Sequence, residues 1–110
     1  MRFITLPEAK EYLRVDSSDE DAVIGSLLLA AGNLCRDVAR LSDAQWADID
    51  SDKCSSRHYS RSRLHDIRET MRVAIYYALG YLYEHREEAD HHALTLTLRS
   101  LLFSIREGVV

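Results

Sequence analysis

Residues 67–88 read IRETMRVAIYYALGYLYEHREE. Ile67, Met71, Ala74, Ile75, Ala78 and Leu82 recur at three- and four-residue steps, which is the period of an α-helix. Asp66 just before the stretch and Glu69 three positions on have the form of a capping box, so the helix is predicted to begin there. It is predicted to end near Glu87 or Glu88. From Val73 to Tyr83 no side chain carries a charge, and a second face holds Val73, Tyr76, Tyr77, Gly80 and Tyr83. A helix that is apolar nearly all round has to be covered on more than one side. Two readings follow. The segment is a central core helix and nothing more, or it is a core helix that also meets another subunit. Tyrosine suits the second, because its ring is apolar while its hydroxyl can stay wet. Val73, Tyr76, Tyr77, Gly80, Tyr81 and Tyr83 are therefore the candidate interface residues.

Upstream, Thr5-Leu6-Pro7-Glu8 is a helix start. Thr5 is the cap, Pro7 sits in the first turn where its missing N–H costs nothing, and Glu8 completes the box. This helix is predicted to run to about Arg14, with Leu6, Ala9, Tyr12 and Leu13 on its apolar side. A second, longer helix follows, capped by Ser17 or Ser18, with Asp19, Glu20 and Asp21 at the positive end of its dipole. Ile24, Leu27, Leu28, Ala31, Leu34, Cys35 and Val38 form its buried stripe. Gly25 and Gly32, with Ala39 a further seven residues on, share a face that predicts close approach of another backbone. Downstream, a last helix is predicted over Ala93–Arg106, with Leu94, Leu98, Leu101, Leu102 and Ile105 inward and Gly108 as its stop. The alternation Leu94-Thr95-Leu96-Thr97-Leu98 also permits a short strand.

Residues 41–65 are the least regular part. Ser42-Asp43-Ala44-Gln45 permits a short helix through Trp46 and Ile49. The rest, rich in Ser, Asp and Arg, reads as a long loop with room for a short hairpin around Arg57–Arg63. Loops this long in a small domain are often functional. Arg57, Tyr59, Arg61 and Arg63 are its candidate contact residues, because arginine beside an aromatic can bind phosphate and stack on bases. The plainer reading is a solvated loop that becomes ordered against a protein partner. The expected architecture is all-α: one domain over residues 1–110, a small bundle of about four helices, and a long irregular loop between the second helix and the central one.

The chain has 110 residues and a net charge of −4, unevenly spread. Residues 1–52 hold five Lys/Arg against eleven Asp/Glu, a balance of −6. Residues 53–72 hold six against two, or +4, and residues 73–110 three against five, or −2. An acidic chain with a local basic segment is a poor general nucleic-acid binder, but it can touch phosphate locally or pair with an acidic surface. No uncharged apolar run reaches the ~20 residues that span a bilayer, and the N-terminus gains charge too early for a secretion signal. The expectation is a protein without membrane contact, made in the cytoplasm. Cys35 falls in an apolar stripe and Cys54 in a polar loop, so neither a structural disulfide nor a metal site is expected.

Chemistry-bearing motifs are absent: there is no Gly-rich phosphate loop, no nucleophile elbow and no paired-Cys motif. His85, His91 and His92, with Glu84, Glu87, Glu88 and Asp90, form the one group that resembles metal chemistry. No second His stands one helical turn from His85, and adjacent His91 and His92 point apart, so a solvated helix end is expected. Cys54 and His58 lack an ordered third partner for nucleophilic chemistry. No enzyme and no cofactor are expected.

Three segments together carry a resemblance. They are Ile4-Thr5-Leu6-Pro7-Glu8-Ala9-Lys10 through Leu13-Arg14-Val15-Asp16 with Asp19-Glu20-Asp21; Ala74-Ile75 with Leu82-Tyr83-Glu84-His85-Arg86-Glu87; and Leu101-Leu102 with Ile105-Arg106. In this order and spacing they resemble the head–tail connector, or adaptor, family of long-tailed bacteriophages and prophages, also described as DNA-packaging proteins. The resemblance covers most of the chain except residues 42–65. It implies a small helical structural protein of the virion with no catalytic site. About a dozen copies would form a ring beneath the portal protein. The ring would extend the channel through which DNA passes without sequence-specific binding, and would present a surface to a downstream head-completion or tail protein. The alternative from another class is a small helical DNA-binding or regulatory protein using the basic segment 53–72, through Arg57, Arg61, Arg63 and Arg68.

Overall fold

The computed structural model describes residues 4–51, 54, 56–87 and 91–105. Their regular structure is all-helical: α1 (Leu6–Leu13), α2 (Asp21–Ala39), α3 (Asp43–Ile49), α4 (Arg61–Glu84) and α5 (His92–Leu101), then a 3-10 turn over Phe103–Ile105. There are thus five α-helices where the sequence suggests about four.

The ends of these helices follow from local chemistry. At α1, Glu8 N donates to Thr5 Oγ1 at 3.4 Å and Thr5 N donates to Glu8 Oε1 at 3.0 Å, the reciprocal pair that the sequence predicts. The same device opens α3, where Gln45 N donates to Ser42 Oγ at 3.2 Å and Ser42 N to Gln45 Oε1 at 2.9 Å. Each such cap contributes about 1 kcal/mol. α2 departs from expectation. Its N-cap is Glu20, and no side chain caps it. The Glu20 carboxylate is engaged instead by Tyr83 and Arg86. α1 and α2 both close on an arginine in the left-handed region, Arg14 at φ 59° and Arg40 at φ 57°.

α4 begins six residues before its predicted start. Ser60 is its cap, accepting from Arg63 N at 3.3 Å, and Leu64 is fully buried on its inner face. Asp66 and Glu69 are exposed positions within the helix rather than its cap. Arg61–Arg63 form its first turn, so no hairpin occupies 57–63, and no strand occurs among the described residues. At the other end the helix stops at Glu84, short of the predicted 87 or 88. Over 94–98 the helix wins over the strand: Leu94 and Leu98 are buried while Leu96 is 49% exposed. Thr95 and Thr97 each donate to the carbonyl four residues back, which accommodates threonine in a helix. The stop proposed at Gly108 lies outside the described residues.

α4 is the centre of the bundle and touches each of the other four α-helices. It buries Leu64, Ile67, Met71, Ala74, Ile75, Ala78 and Leu79. α2 meets it with Ile24, Leu28, Ala31 and Cys35, and α5 with Leu94 and Leu98. Truncating one of the larger of these to Ala would cost about 2–5 kcal/mol. Side-chain pairs fix the directions. Glu20 at the head of α2 meets Tyr83 at the tail of α4, so these two run antiparallel. α5 also runs back along α4, from His91 beside Tyr81 to Ser104 beside Arg63. α1 runs parallel to α4, with Glu8 on Arg72 and Tyr12 on Tyr76. The molecule measures 40 × 29 × 19 Å, and the short dimension is that of two helix layers at ~10 Å each. One electrostatic feature runs against helix preference. α4 has no acidic residue in its first turn and no basic residue in its last. Instead Arg61 and Arg63 stand at the positive pole of its dipole, and Glu84 at the negative pole.

Candidate subunit interface

The parallel packing of α1 on α4 builds a surface. Arg72 of α4 and Glu8 of α1 form an ion pair at 3.4 Å. One turn on, the Tyr12 and Tyr76 rings stack with centroids 4.7 Å apart and planes 16° from parallel. A further turn on, Gly80 lies under the Tyr12 ring, where an added Cβ would sit 3.5 Å from Tyr12 Cε2, an ordinary contact. Val73 and Tyr77 continue this face outward at 59% and 43% exposure, and Tyr12 is 48% exposed. The result is a contiguous apolar and aromatic patch bracketed along α4 by exposed Asp66, Glu69 and Glu84. Tyr12 belongs to this patch although the sequence assigns it to the inner side of α1. Only the placement of α1 beside α4 reveals its role.

Tyr81 and Tyr83 have partners of their own. At 3.6 residues per turn Tyr81 stands roughly 80° from Val73, while Tyr83 lies about 20° from Tyr76, two turns on. Tyr81 stacks on His85 at 4.2 Å and meets His91 edge-on at 5.8 Å, holding the start of α5. Tyr83 donates to Glu20 at 2.5 Å, and the Arg86 guanidinium sits 5.0 Å over its ring while pairing with Glu20 at 3.3 Å. The Tyr83 hydrogen bond, with Arg86 assisting, holds the Glu20 carboxyl below its ordinary pKa of 4.5. In return, the bond to Glu20 holds the Tyr83 hydroxyl above its ordinary 10.0. His85 Nδ1 lies 2.9 Å from the Tyr81 carbonyl, which only accepts, so that nitrogen carries a proton. Among the described residues no group of three or more His, Cys, Asp or Glu could hold a metal. Glu88 and Asp90 of the sequence cluster lie outside the described residues.

The basic segment is divided by the fold. Arg57, Arg61 and Arg63 are exposed, and Arg63 Nη2 donates to the Ser104 carbonyl at 2.9 Å. Tyr59 is half-buried against the core instead of being displayed. Arg68 donates to the Asp48 and Ile49 carbonyls at 2.7 and 3.0 Å, so its guanidinium serves the fold. The described part of the loop is thus held by its own chain, with Ser56 Oγ accepting from His58 N and Tyr59 N at 3.1 and 3.0 Å. Lys53 lies outside the described residues. His58 is engaged with Asp48 at 3.0 Å and Cys54 is exposed. Burial pushes the Cys35 thiol up to about 12, as an inert core residue requires.

A second exposed face has no counterpart in the sequence reading. From Ala22 to Cys35 α2 carries no charge, yet Ala22, Val23, Ser26, Leu29, Ala30 and Asn33 all face outward. Leu29 is 57% exposed and Val23 41%. A solvent-facing helix side is ordinarily charged. Gly32 and Ala39 of the small-residue face are buried, but Gly25 has nothing within 4 Å of where a Cβ would stand, so among the described residues no close approach is made at Gly25. By length and composition α2 also suffices to cross a membrane, with mean hydropathy 1.4, but its inner side is part of the bundle core.

No protein-family model, curated protein or solved structure matches the chain.

Proposed function

We propose that the protein is a structural subunit of a head–tail connector ring in a long-tailed bacteriophage or prophage virion. The observation that carries this reading is the Tyr12, Val73, Tyr76 and Tyr77 patch, an uncharged aromatic surface on the central helix that a monomer leaves in water. The three segments that carry the family resemblance support it. In this role about a dozen copies stand side by side beneath the portal, enclose the DNA channel without reading sequence, and offer one rim to a tail-side protein. The exposed Arg57, Arg61 and Arg63 then face phosphate or an acidic partner surface. The test is the mass of the purified protein across concentration, with negative-stain images of any large species. Rings support the reading. A monomer that also fails to co-purify with a portal protein sinks it. The second reading, a DNA-binding regulator, draws on the same exposed arginines and requires duplex binding that weakens steeply with added salt.

A further inference from the structure

The outward strip of α2 is uncharged from Ala22 to Asn33, and its two ends carry opposite charge. Exposed Asp19 lies in the turn ahead of the helix, and exposed Arg40 is its C-cap. Neither forms an ion pair among the described residues. Exposed Arg99 of α5 shares a recess with Arg40 and Asp37, so this end of the strip is net basic.

The strip is also symmetric about its own midpoint, which falls between Leu29 and Ala30. Ser26 and Asn33 stand equally far from that point, and so do Asp19 and Arg40. At 3.6 residues per turn Ser26 and Asn33 lie within about 20° of each other, along the middle of the outward side. A second copy laid antiparallel on the strip about this midpoint matches it throughout. Asp19 of each falls opposite the partner's Arg40. Ser26 falls opposite the partner's Asn33, whose amide both donates and accepts. Leu29, 57% exposed, meets the partner's Leu29. Asp37 falls opposite the uncharged Ala22. The two helix dipoles lie head to tail, each positive pole beside a negative one. A parallel pairing would instead set Asp19 beside Asp19 and Arg40 beside Arg40, at a cost in like-charge repulsion.

We propose that two copies of this chain pair through α2 about a two-fold axis between Leu29 and Ala30, with Asp19 of each opposite the partner's Arg40. The short side chains of Ala22, Ser26 and Ala30 let the two backbones come close, and Gly25 stands open at the edge of the contact. One helix pair is small for a specific interface, so the dimer comes apart on dilution. A two-fold contact closes at two copies and cannot recur round a ring. The pairing is therefore separate from the α4 patch and does not rest on the ring reading, which solution mass tests by itself.

The test uses the full chain with Cys54→Ser, Cys35 being buried. Leu29→Cys in this background carries one accessible thiol, next to its own copy across the axis. A short bismaleimide should join it into dimers. Asp19→Arg and Arg40→Glu, each added to Leu29→Cys, should each raise the concentration needed for half-joining about tenfold. An equimolar mixture of those two variants should restore joining, because one of its mixed pairs has opposite charges at both ends. Circular dichroism confirms that each variant folds. A role for Asp19 and Arg40 within their own chain predicts no rescue on mixing, and that result would overturn the proposal. So would failure of Leu29→Cys to join, or joining that neither charge variant alters. Flotation of the chain with phosphatidylcholine vesicles in place of joining would assign the strip to a lipid surface and overturn it as well.

Discussion

Arg68 on α4 holds Ile49 at the end of α3, its Nε donating to the Ile49 carbonyl at 3.0 Å. Its Nη2 donates to the neighbouring Asp48 carbonyl at 2.7 Å and reaches Ser51 Oγ at 3.3 Å. The Asp48 carboxylate in turn accepts from His58 at 3.0 Å. The irregular segment is thereby anchored at both of its described ends by side chains of the chain itself. Arg68→Ala removes the guanidinium donors to the Ile49 and Asp48 carbonyls, the second of which still accepts from Ser51 Oγ, and should lower stability by about 2 kcal/mol. Arg68→Lys should recover less than half, since an ammonium cannot make the fork. Urea unfolding measures both, and an unchanged midpoint in Arg68→Ala would remove the clamp from the fold's energetics.

The Glu20–Tyr83 pair sets a pH window. The Glu20 carboxyl is held low, so its contribution is present above the ordinary 4.5 and is lost as pH falls through the lowered value. Tyr83 is held high, so its contribution is present below 10.0 and is lost as pH rises through the raised value. Melting temperature followed from about pH 3 to about pH 11 should fall less steeply at both extremes in Tyr83→Phe than in the parent. Parallel curves would mean that the bond does not couple α2 to α4.

Arg14 and Arg40 take a backbone conformation that glycine adopts without penalty. Arg14→Gly should therefore raise stability by up to about 1 kcal/mol. Arg40→Gly should do the same. Thermal melts of both variants check the pair, and an unchanged melting temperature would count against strain at these two positions.

Tyr77 is 43% exposed, so the fold should tolerate a charge there. Tyr77→Arg should give a protein with the parent's helicity and melting temperature that forms no ring. Assembly at the parent's concentration would place the contact elsewhere.

Much of this was written locally. The α1 cap was legible because its four residues satisfy one another within a single turn. The core of α4 was legible because its leucine, isoleucine and alanine spacing is unbroken. The start of α4 was misread because Asp66 and Glu69 imitate a cap, while the true one, Ser60, precedes a turn whose arginines hide the inward Leu64. Of the candidate interface, Val73, Tyr76, Tyr77 and Gly80 share one face with Tyr12. Tyr83 was read onto that face by its spacing and Tyr81 was added beside it; in the fold Tyr81 meets His85 and His91, and Tyr83 meets Glu20 and Arg86. Tyr12 and the outer face of α2 were not legible, because each depends on which helix lies beside which.

The charges on α4 add to its dipole where most helices offset theirs. Arg61 and Arg63 at one end and Glu84 at the other reinforce the partial charges of the backbone. Exposed Arg57 lies just ahead of the first, and exposed Asp19 and Glu87 lie near the second. Each molecule is thus an electric vector lying along its central helix. In a closed assembly whose members share one orientation, with the central helices along its axis, these vectors would sum, and one mouth would be positive and the other negative. Such a ring would have a built-in up and down before any neighbour docks, and the electropositive mouth would prefer acidic partners.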